Sequence, residues 1–383
     1  MKILTIIGAR PQIIKAAALS RAVRNSGKDI REVIVHTGQH YDENMSQVFF
    51  DELQIPHPDY NLGVGSGEHG KQTAKMMAGI EKILFDEKPD VLVVYGDTNS
   101  TLAGAIAAAK IHIPVAHIEA GLRSFNKSMP EEINRICCDH CSTLLFSPTK
   151  TGFDNLVKEG FSQNTKKPFT IDRPGIYHCG DIMYDNSLHF AKIAEQKSDI
   201  IERAGVKGKT FTLCTIHRDS NTDNPTRLNN IFEALNEISK KSDIVLPLHP
   251  RTKKMMTKNL DKQSLSQTET NSRIHILPPV SFLDMIMLEN KANIVLTDSG
   301  GVQKEAYFFK KPCVIMRGET EWVEIVETGT AALCDADKQT VIEKFNHFGN
   351  KKDMTFPAIF GDGKAAEFIL GELIDNIERT RIL

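Results

Sequence analysis

Short apolar, β-branched runs alternate with segments of helical periodicity along most of the chain, and that alternation predicts the fold. Met1 to Ile7 reads as a buried strand, and Pro11 then opens a segment whose apolar residues Ile13, Ile14, Ala17, Ala18 and Val23 recur at helical spacing. Val33 to Val35 predicts a strand, Met76 to Leu84 a helix and Val91 to Tyr95 a further strand. The alanine-rich Thr101 to Lys110 is helical, Ile113 to Ala116 a strand, and Glu131 to Cys141 a helix with Pro130 at its entrance. Thr143 to Phe146 is a strand, with Thr149 capping the helix after it. Residues 162–175 break the rhythm with Lys166, Lys167, Pro168 and Pro174, and read as an inserted loop near a domain boundary. Helix-like Ile182 to Lys197 follows. Strands are then expected at 210–216, 244–248, 274–277, 294–297 and 312–316, with helices at 228–239, after Ser281, and at 302–309. Residues 365–383 predict a long terminal helix.

Strands separated by helices imply parallel sheets with helices on both faces. The class is therefore α/β, with two doubly wound, Rossmann-like domains. The expected division is 1–175 for a first domain carrying acid–base residues, 176–364 for a second, and 365–383 for a helix that crosses back to the first. A chain of 383 residues is long enough for two cores.

Composition narrows the class of function. A formal net charge of -2 gives no reason to expect nucleic acid. No apolar run approaches the ~18 residues of a membrane span. The first residues, ended by Arg10, are too short an apolar run for a signal peptide. Seven cysteines without a disulfide pattern suggest a reducing compartment, hence the cytoplasm. Cys137, Cys138 and Cys141 lie close to His140, but a zinc site needs a second ligand pair that the spacing does not offer. Gly65 to Gly70 matches G-x-G-x-x-G without a convincing strand before it, so a flexible loop is expected there and no nicotinamide cofactor.

Ligands of doubly wound sheets bind beyond the carboxyl ends of the strands, and the unusual polar residues fall there. Gly8-Ala9-Arg10-Pro11-Gln12, with Lys15 one turn on, suits an anion at a helix N-terminus; a solvent-facing arginine is the alternative. Asp97, in Gly96-Asp97-Thr98, is either a helix cap or a general acid or base. Glu119, Arg123, Glu131, Glu132 and Arg135 crowd the stretch after the 113–116 run. His217 ends a strand and is either structural or part of a site. Thr297-Asp298-Ser299-Gly300-Gly301 leads a strand into a helix, a turn that suits phosphate or closes without a ligand. Arg317 follows the next strand. A nucleotide diphosphate held by the second domain and a sugar presented to carboxylates of the first would use all of these groups.

Seven pieces resemble the non-hydrolysing UDP-N-acetylglucosamine 2-epimerases: GARPQIIK at 8–15, TGQH at 37–40, YGDTNS at 95–100, HIEAGLRS at 117–124, PEEINR at 130–135, TIHR at 215–218 and TDSGGVQKEA at 297–306. The resemblance implies a GT-B-like pair of domains with the active site in the cleft between them. It implies elimination of UDP across C1–C2 of the sugar, giving 2-acetamidoglucal, and re-addition with a proton delivered to the opposite face of C2. Asp97, Glu119 and Glu131 become the acid–base candidates, with His217 both catalytic and a UDP contact. Arg10, Lys15, Arg135, Ser299, Gly300, Gly301 and Arg317 become UDP or phosphate contacts, and Glu305 suits ribose hydroxyls. The implied reaction is redox-neutral and needs no cofactor and no metal. The expected partner is a UDP-sugar destined for surface polysaccharide, and the expected assembly a homodimer.

Two departures from the family pattern carry expectations. Gln39-His40-Tyr41-Asp42-Glu43 keeps only two residues of the Gln-His-Arg-x-Met effector pattern, so activation by UDP-N-acetylglucosamine is not expected. Ser124 to Met129 resembles the branch that includes 2-epimerases of UDP-2,3-diacetamido uronic acids, the alternative substrate class. The hydrolysing relatives differ at HIEAGLRS and PEEINR. A glycosyltransferase would not call for three acids, and a non-catalytic regulator would have lost them.

Overall fold

The computed structural model describes residues 1–38, 56–351 and 353–380. The effector-pattern residues 39–43 lie outside that set. In the first sheet the strands are β1 (Lys2–Ile7), β2 (Arg31–His36), β3 (Tyr60–Asn61), β4 (Val91–Tyr95), β5 (Val115–Ile118), β6 (Leu144–Ser147) and β7 (Gly175–His178). They pair in the order β3-β2-β1-β4-β5-β6-β7, every pair parallel. The second sheet holds β8 (Phe211–Thr215), β9 (Asp243–Pro247), β10 (Ile274–Leu277), β11 (Ile294–Thr297), β12 (Cys313–Ile315) and β13 (Ala331–Leu333). Its order is β10-β9-β8-β11-β12-β13, again all parallel. Both sheets are doubly wound: the order reverses between β1 and β4 in one, and between β8 and β11 in the other. Those two reversals are where such sheets open for ligands.

The central strands are near-continuous apolar runs because helices cover both faces. Ile3, Leu4, Ile6, Val91, Leu92, Val93 and Val94 are fully buried in the first sheet, and Leu213, Val295 and Leu296 in the second. Each such side chain contributes about 1.5–3 kcal/mol on burial. The helices begin where the sequence signals them. Thr149 and Ser281 cap through their hydroxyls, and Pro130 is the first residue of helix Pro130–His140.

The units divide differently from the expected 175 and 364. The first comprises Met1–Asn186 with Ala358–Leu383, the second Ser187–Pro357. Three local facts move the limits. β7 pairs with β6 and so continues the first sheet past residue 175. The Asp181 N–H donates to Phe360 O at 3.0 Å, which ties the chain before helix Ala365–Thr380 to the first unit. The Asp185 carboxylate then accepts from Ala365 N at 3.1 Å and Ala366 N at 2.7 Å, capping that helix. The helix packs on helix Arg10–Asn25. The polar 162–175 stretch thus lies within the first unit, ahead of its edge strand.

Candidate active site

In the first unit the loops after β1 and β4 are stitched together by Gln12, which is buried. Its Oε1 accepts from Gly8 N at 2.9 Å and Ala9 N at 3.1 Å, and its Nε2 donates to Tyr95 O and Thr101 Oγ1, both at 2.9 Å. The chains meet so tightly that a Cβ on Gly8 would lie 2.2 Å from Ser100 Oγ and 2.3 Å from Thr37 Oγ1. One turn into the following helix, Lys15 makes an ion pair with Glu119. Glu119 is buried at the end of β5 with φ +74, a left-handed backbone that non-glycine residues seldom adopt. Gly96, at φ +64, brings the turn after β4 against that pair: a Cβ there would sit 3.1 Å from Glu119 Oε2 and 3.3 Å from Lys15 Nζ.

Asp97 is not the cap of the next helix. Thr98 takes that role, accepting from Thr101 N, and leaves the Asp97 carboxylate for Arg135, whose Nη2 donates to Oδ2 at 2.6 Å. Asn134 Nδ2 donates to the Asp97 carbonyl at 2.8 Å. Arg135 also donates to Glu132 Oε2 at 2.9 Å. Glu132 is buried and accepts from Ser124 N at 2.9 Å, Ser124 Oγ at 3.0 Å and Phe125 N at 3.0 Å. Burial pushes its carboxyl up, but the bonds from Ser124, Phe125 and Arg135 outweigh that and hold it below its ordinary value. Glu131, the acid–base candidate one residue earlier, is exposed on the first turn of the same helix. Arg10 is likewise exposed, at the start of its helix.

Behind these groups lies a buried polar chain. His117 Nδ1 sits 2.7 Å from Asp139 Oδ1, and its Nε2 sits 2.7 Å from the Gly96 carbonyl. Asp139 also accepts from Gly121 N at 3.1 Å and pairs with Arg123 at 2.7 Å. Arg123 in turn grips Glu159 through two bonds of 2.7 and 2.6 Å. Asp139 is fully buried, yet its bonds to His117 and Arg123 hold it below its ordinary value against that burial. Sequence reasoning passed over Asp139 and gave Glu132 no role of its own. Their spacing of seven residues, with Arg135 between them, places all three on one face of the helix, and that signal was available.

In the second unit Asp298 organises the reversal between β8 and β11. It is fully buried and accepts from His217 N at 3.0 Å, Arg218 N at 3.1 Å and Asn221 Nδ2 at 3.1 Å. The His217 ring stands with Nδ1 3.4 Å from Asp298 Oδ1. Burial lowers that ring's pKa, the Asp298 charge opposes this, and Arg218 and His249 add to the lowering. Ser299 caps helix Gly300–Phe308, so the first backbone N–H groups of the helix open where an anion is favoured. Gly301 is exposed in its first turn, and Glu305 follows one turn on. A Cβ on Gly300 would lie 3.3 Å from Glu321 Oε2 and 3.8 Å from Arg317 Nη1. Arg317 is engaged by Glu321 through two bonds of 3.0 Å. Beside it lies a pocket of about 360 Å³ lined by Arg218, Asp219, Ser220, Arg227, Arg317, Gly318 and Glu319. Arg218 and Arg227 were not among the expected site residues. Arg227 lies twelve residues past the strand end, beyond a local motif's reach.

The structure thus places Asp97, Glu119, Lys15 and Arg135 at the reversal of the first sheet, and His217, Ser299, Gly300 and Arg317 at that of the second. The expected phosphate contacts Lys15, Arg135 and Arg317 are each paired with a carboxylate. Among the described residues no group of three or more His, Cys, Asp or Glu could hold a metal ion. Gly65 to Gly70 runs into helix His69–Glu87 with no strand leading directly into it. No helix among the described residues is long and apolar enough to cross a membrane.

Known proteins resemble the chain over nearly its whole length. The family described as UDP-N-acetylglucosamine 2-epimerase matches residues 21–374. The UDP-2,3-diacetamido-2,3-dideoxy-D-glucuronate 2-epimerase of Pseudomonas aeruginosa is 47% identical, over 96% of this chain and 98% of that one. The UDP-N-acetylglucosamine 2-epimerase of Methanocaldococcus jannaschii is 44% identical, over 97% and 98% of the two chains. A crystal structure of the M. jannaschii enzyme with UDP-GlcNAc and UDP superposes with a TM-score of 0.81 at 43% identity, covering 98% of this chain and all of that one. The sheet order, the carboxylate–cation pairs at one reversal, the Ser299-capped turn at the other and these likenesses agree: the chain belongs to the UDP-N-acetylglucosamine 2-epimerase family.

Proposed function

We propose that the chain interconverts UDP-N-acetylglucosamine and UDP-N-acetylmannosamine without hydrolysing them. The C2 hydrogen of the sugar is not activated by a carbonyl, so direct deprotonation is unfavourable. Elimination of UDP across C1–C2, followed by re-addition of UDP at C1 with a proton delivered to the opposite face of C2, avoids that difficulty. It needs a base and an acid near C2, and cations where the diphosphate departs. The observation that carries the reading is the pair of carboxylates at the first reversal, Asp97 and Glu119, each in contact with a cation, Arg135 and Lys15. In this reading Asp97, Glu119 and the exposed Glu131 move protons. Ser299, Gly300, Gly301, His217, Arg10 and Arg317 hold the diphosphate, and Glu305 the ribose. The reaction is redox-neutral. The same reading makes the protein a cytoplasmic homodimer acting on a UDP-sugar.

Proton NMR of the purified chain with UDP-N-acetylglucosamine in D2O tests this. The expected result is loss of the H2 signal, deuterium at C2 and growth of the manno anomeric signal. A second reading, epimerisation of UDP-2,3-diacetamido-2,3-dideoxy-glucuronate, is favoured by the 47% identity to the P. aeruginosa enzyme. Deuterium entering the uronate alone would select it. Deuterium entering neither sugar would remove both.

A further inference from the structure

Gly96, the residue before Asp97, is fastened to β5 at two points. Its N–H donates to Ile118 O at 2.9 Å, and its carbonyl lies 2.7 Å from His117 Nε2. The first contact holds the Tyr95–Gly96 peptide and the second holds the Gly96–Asp97 peptide, from which Asp97 leaves the sheet, at a residue whose φ of +64 makes the turn. The other face of the His117 ring is held by Asp139, whose second oxygen accepts from Gly121 N, two residues past Glu119. One buried histidine–aspartate pair therefore touches both acid-bearing turns. An apolar residue at 117 would leave the Gly96 carbonyl and one oxygen of the buried Asp139 without that partner, and would free the Gly96–Asp97 peptide to turn. His117 is itself fully buried with an oxygen on each ring nitrogen, so it does not reach a sugar.

We infer that His117, braced by Asp139, is a positioning residue that aims the Asp97 carboxylate at the reacting carbon. The inference rests on the acid–base reading of Asp97. A displacement of about 1 Å at such a group costs on the order of 100-fold in rate.

Two substitutions separate the contacts of the ring. In His117→Gln the amide nitrogen stands near Nε2 and keeps the donor to Gly96 O. In His117→Asn it stands near Nδ1 and keeps only the Asp139 contact. Each loses one buried hydrogen bond, and because the one lost in H117Q is to the charged Asp139, H117Q should melt no higher than H117N. With wild type turning over, kcat of H117N should fall on the order of 100-fold with KM within about threefold, while H117Q stays within about tenfold. A simple folding role would cost H117Q at least as much turnover as H117N. Equal losses in the two, or an H117N variant within tenfold of wild type, would overturn the inference. If neither variant folds, or if wild type epimerises no UDP-sugar, a crystal structure of the wild-type protein with UDP decides. Nε2 within about 3.2 Å of Gly96 O is expected there, and a ring turned away from that carbonyl would overturn the inference whatever the fate of the epimerase reading.

Discussion

Glu131 and Glu132 are neighbours on one helix, and replacing each by glutamine should have opposite consequences. Four donors converge on the Glu132 carboxylate: Ser124 N, Ser124 Oγ, Phe125 N and Arg135 Nη1, all within 2.9–3.0 Å. A glutamine there keeps one acceptor oxygen. If that oxygen stays with Ser124 and Arg135, the amide NH2 faces the Phe125 N–H, donor against donor. Phe125 sits at φ +57, so the lost bond is one that holds a strained turn. One charge-assisted bond lost and one weakened, each worth about 1.5–3 kcal/mol, make a net cost of about 3 kcal/mol reasonable. For a unit of this size that lowers the melting temperature by roughly 6–12 °C. Glu131→Gln, on the exposed side, should stay within about 0.5 kcal/mol of wild type in stability while losing turnover. The pH dependence has a definite sign. The Glu132 carboxyl titrates below its ordinary 4.5, so its contribution is present above that value and fades as pH falls through its folded pKa. The E132Q penalty should therefore be largest near neutral pH and shrink in acid. Differential scanning calorimetry of both variants, near neutrality and near pH 4, measures all of this. Equal melting temperatures for the two variants, or a pH-independent E132Q penalty, would refute the reasoning.

Asp97→Asn should leave UDP binding within a few-fold and lower epimerisation by at least ~100-fold in an NMR turnover assay; comparable turnover would remove Asp97 from the chemistry. Glu321→Gln releases Arg317 from a half-exposed pair worth at most about 1 kcal/mol, so UDP should bind up to about fivefold tighter by calorimetric titration. Weaker binding would show that Arg317 does not hold the phosphates. Burial raises the Asp185 carboxyl to about 6 from its ordinary 3.8, against its bonds from Ala366 and Ala365. Its contribution is full below 3.8 and lost as pH rises through about 6, by about 3 kcal/mol. Urea unfolding of wild type and Asp185→Asn should therefore differ in pH slope between about pH 4 and 7, and parallel profiles would contradict the assignment.

The sequence by itself determined the α/β class, the two sheets and most of the central strands. Those features rest on local periodicity, and β1, β4, β8 and β11 carry it as mostly apolar, β-branched runs. It determined too which loops hold unusual chemistry, because Asp97, Glu119, His217 and Ser299 sit just past strand ends. It misjudged β7, since Gly175-Ile176-Tyr177-His178 is a half-exposed edge strand identified only by pairing with β6. It gave no sign of β13, three residues long, for the same reason. Only the tertiary structure decided which charges meet. Lys15 finds Glu119 from 104 residues away, and Asp298 receives the backbone of His217 from 81. Which of two adjacent glutamates turned inward, and which residue capped the helix beside Asp97, followed from helix rotation and strand-end geometry. Periodicity is written in neighbouring side chains, whereas an ion pair depends on where distant backbones come to rest.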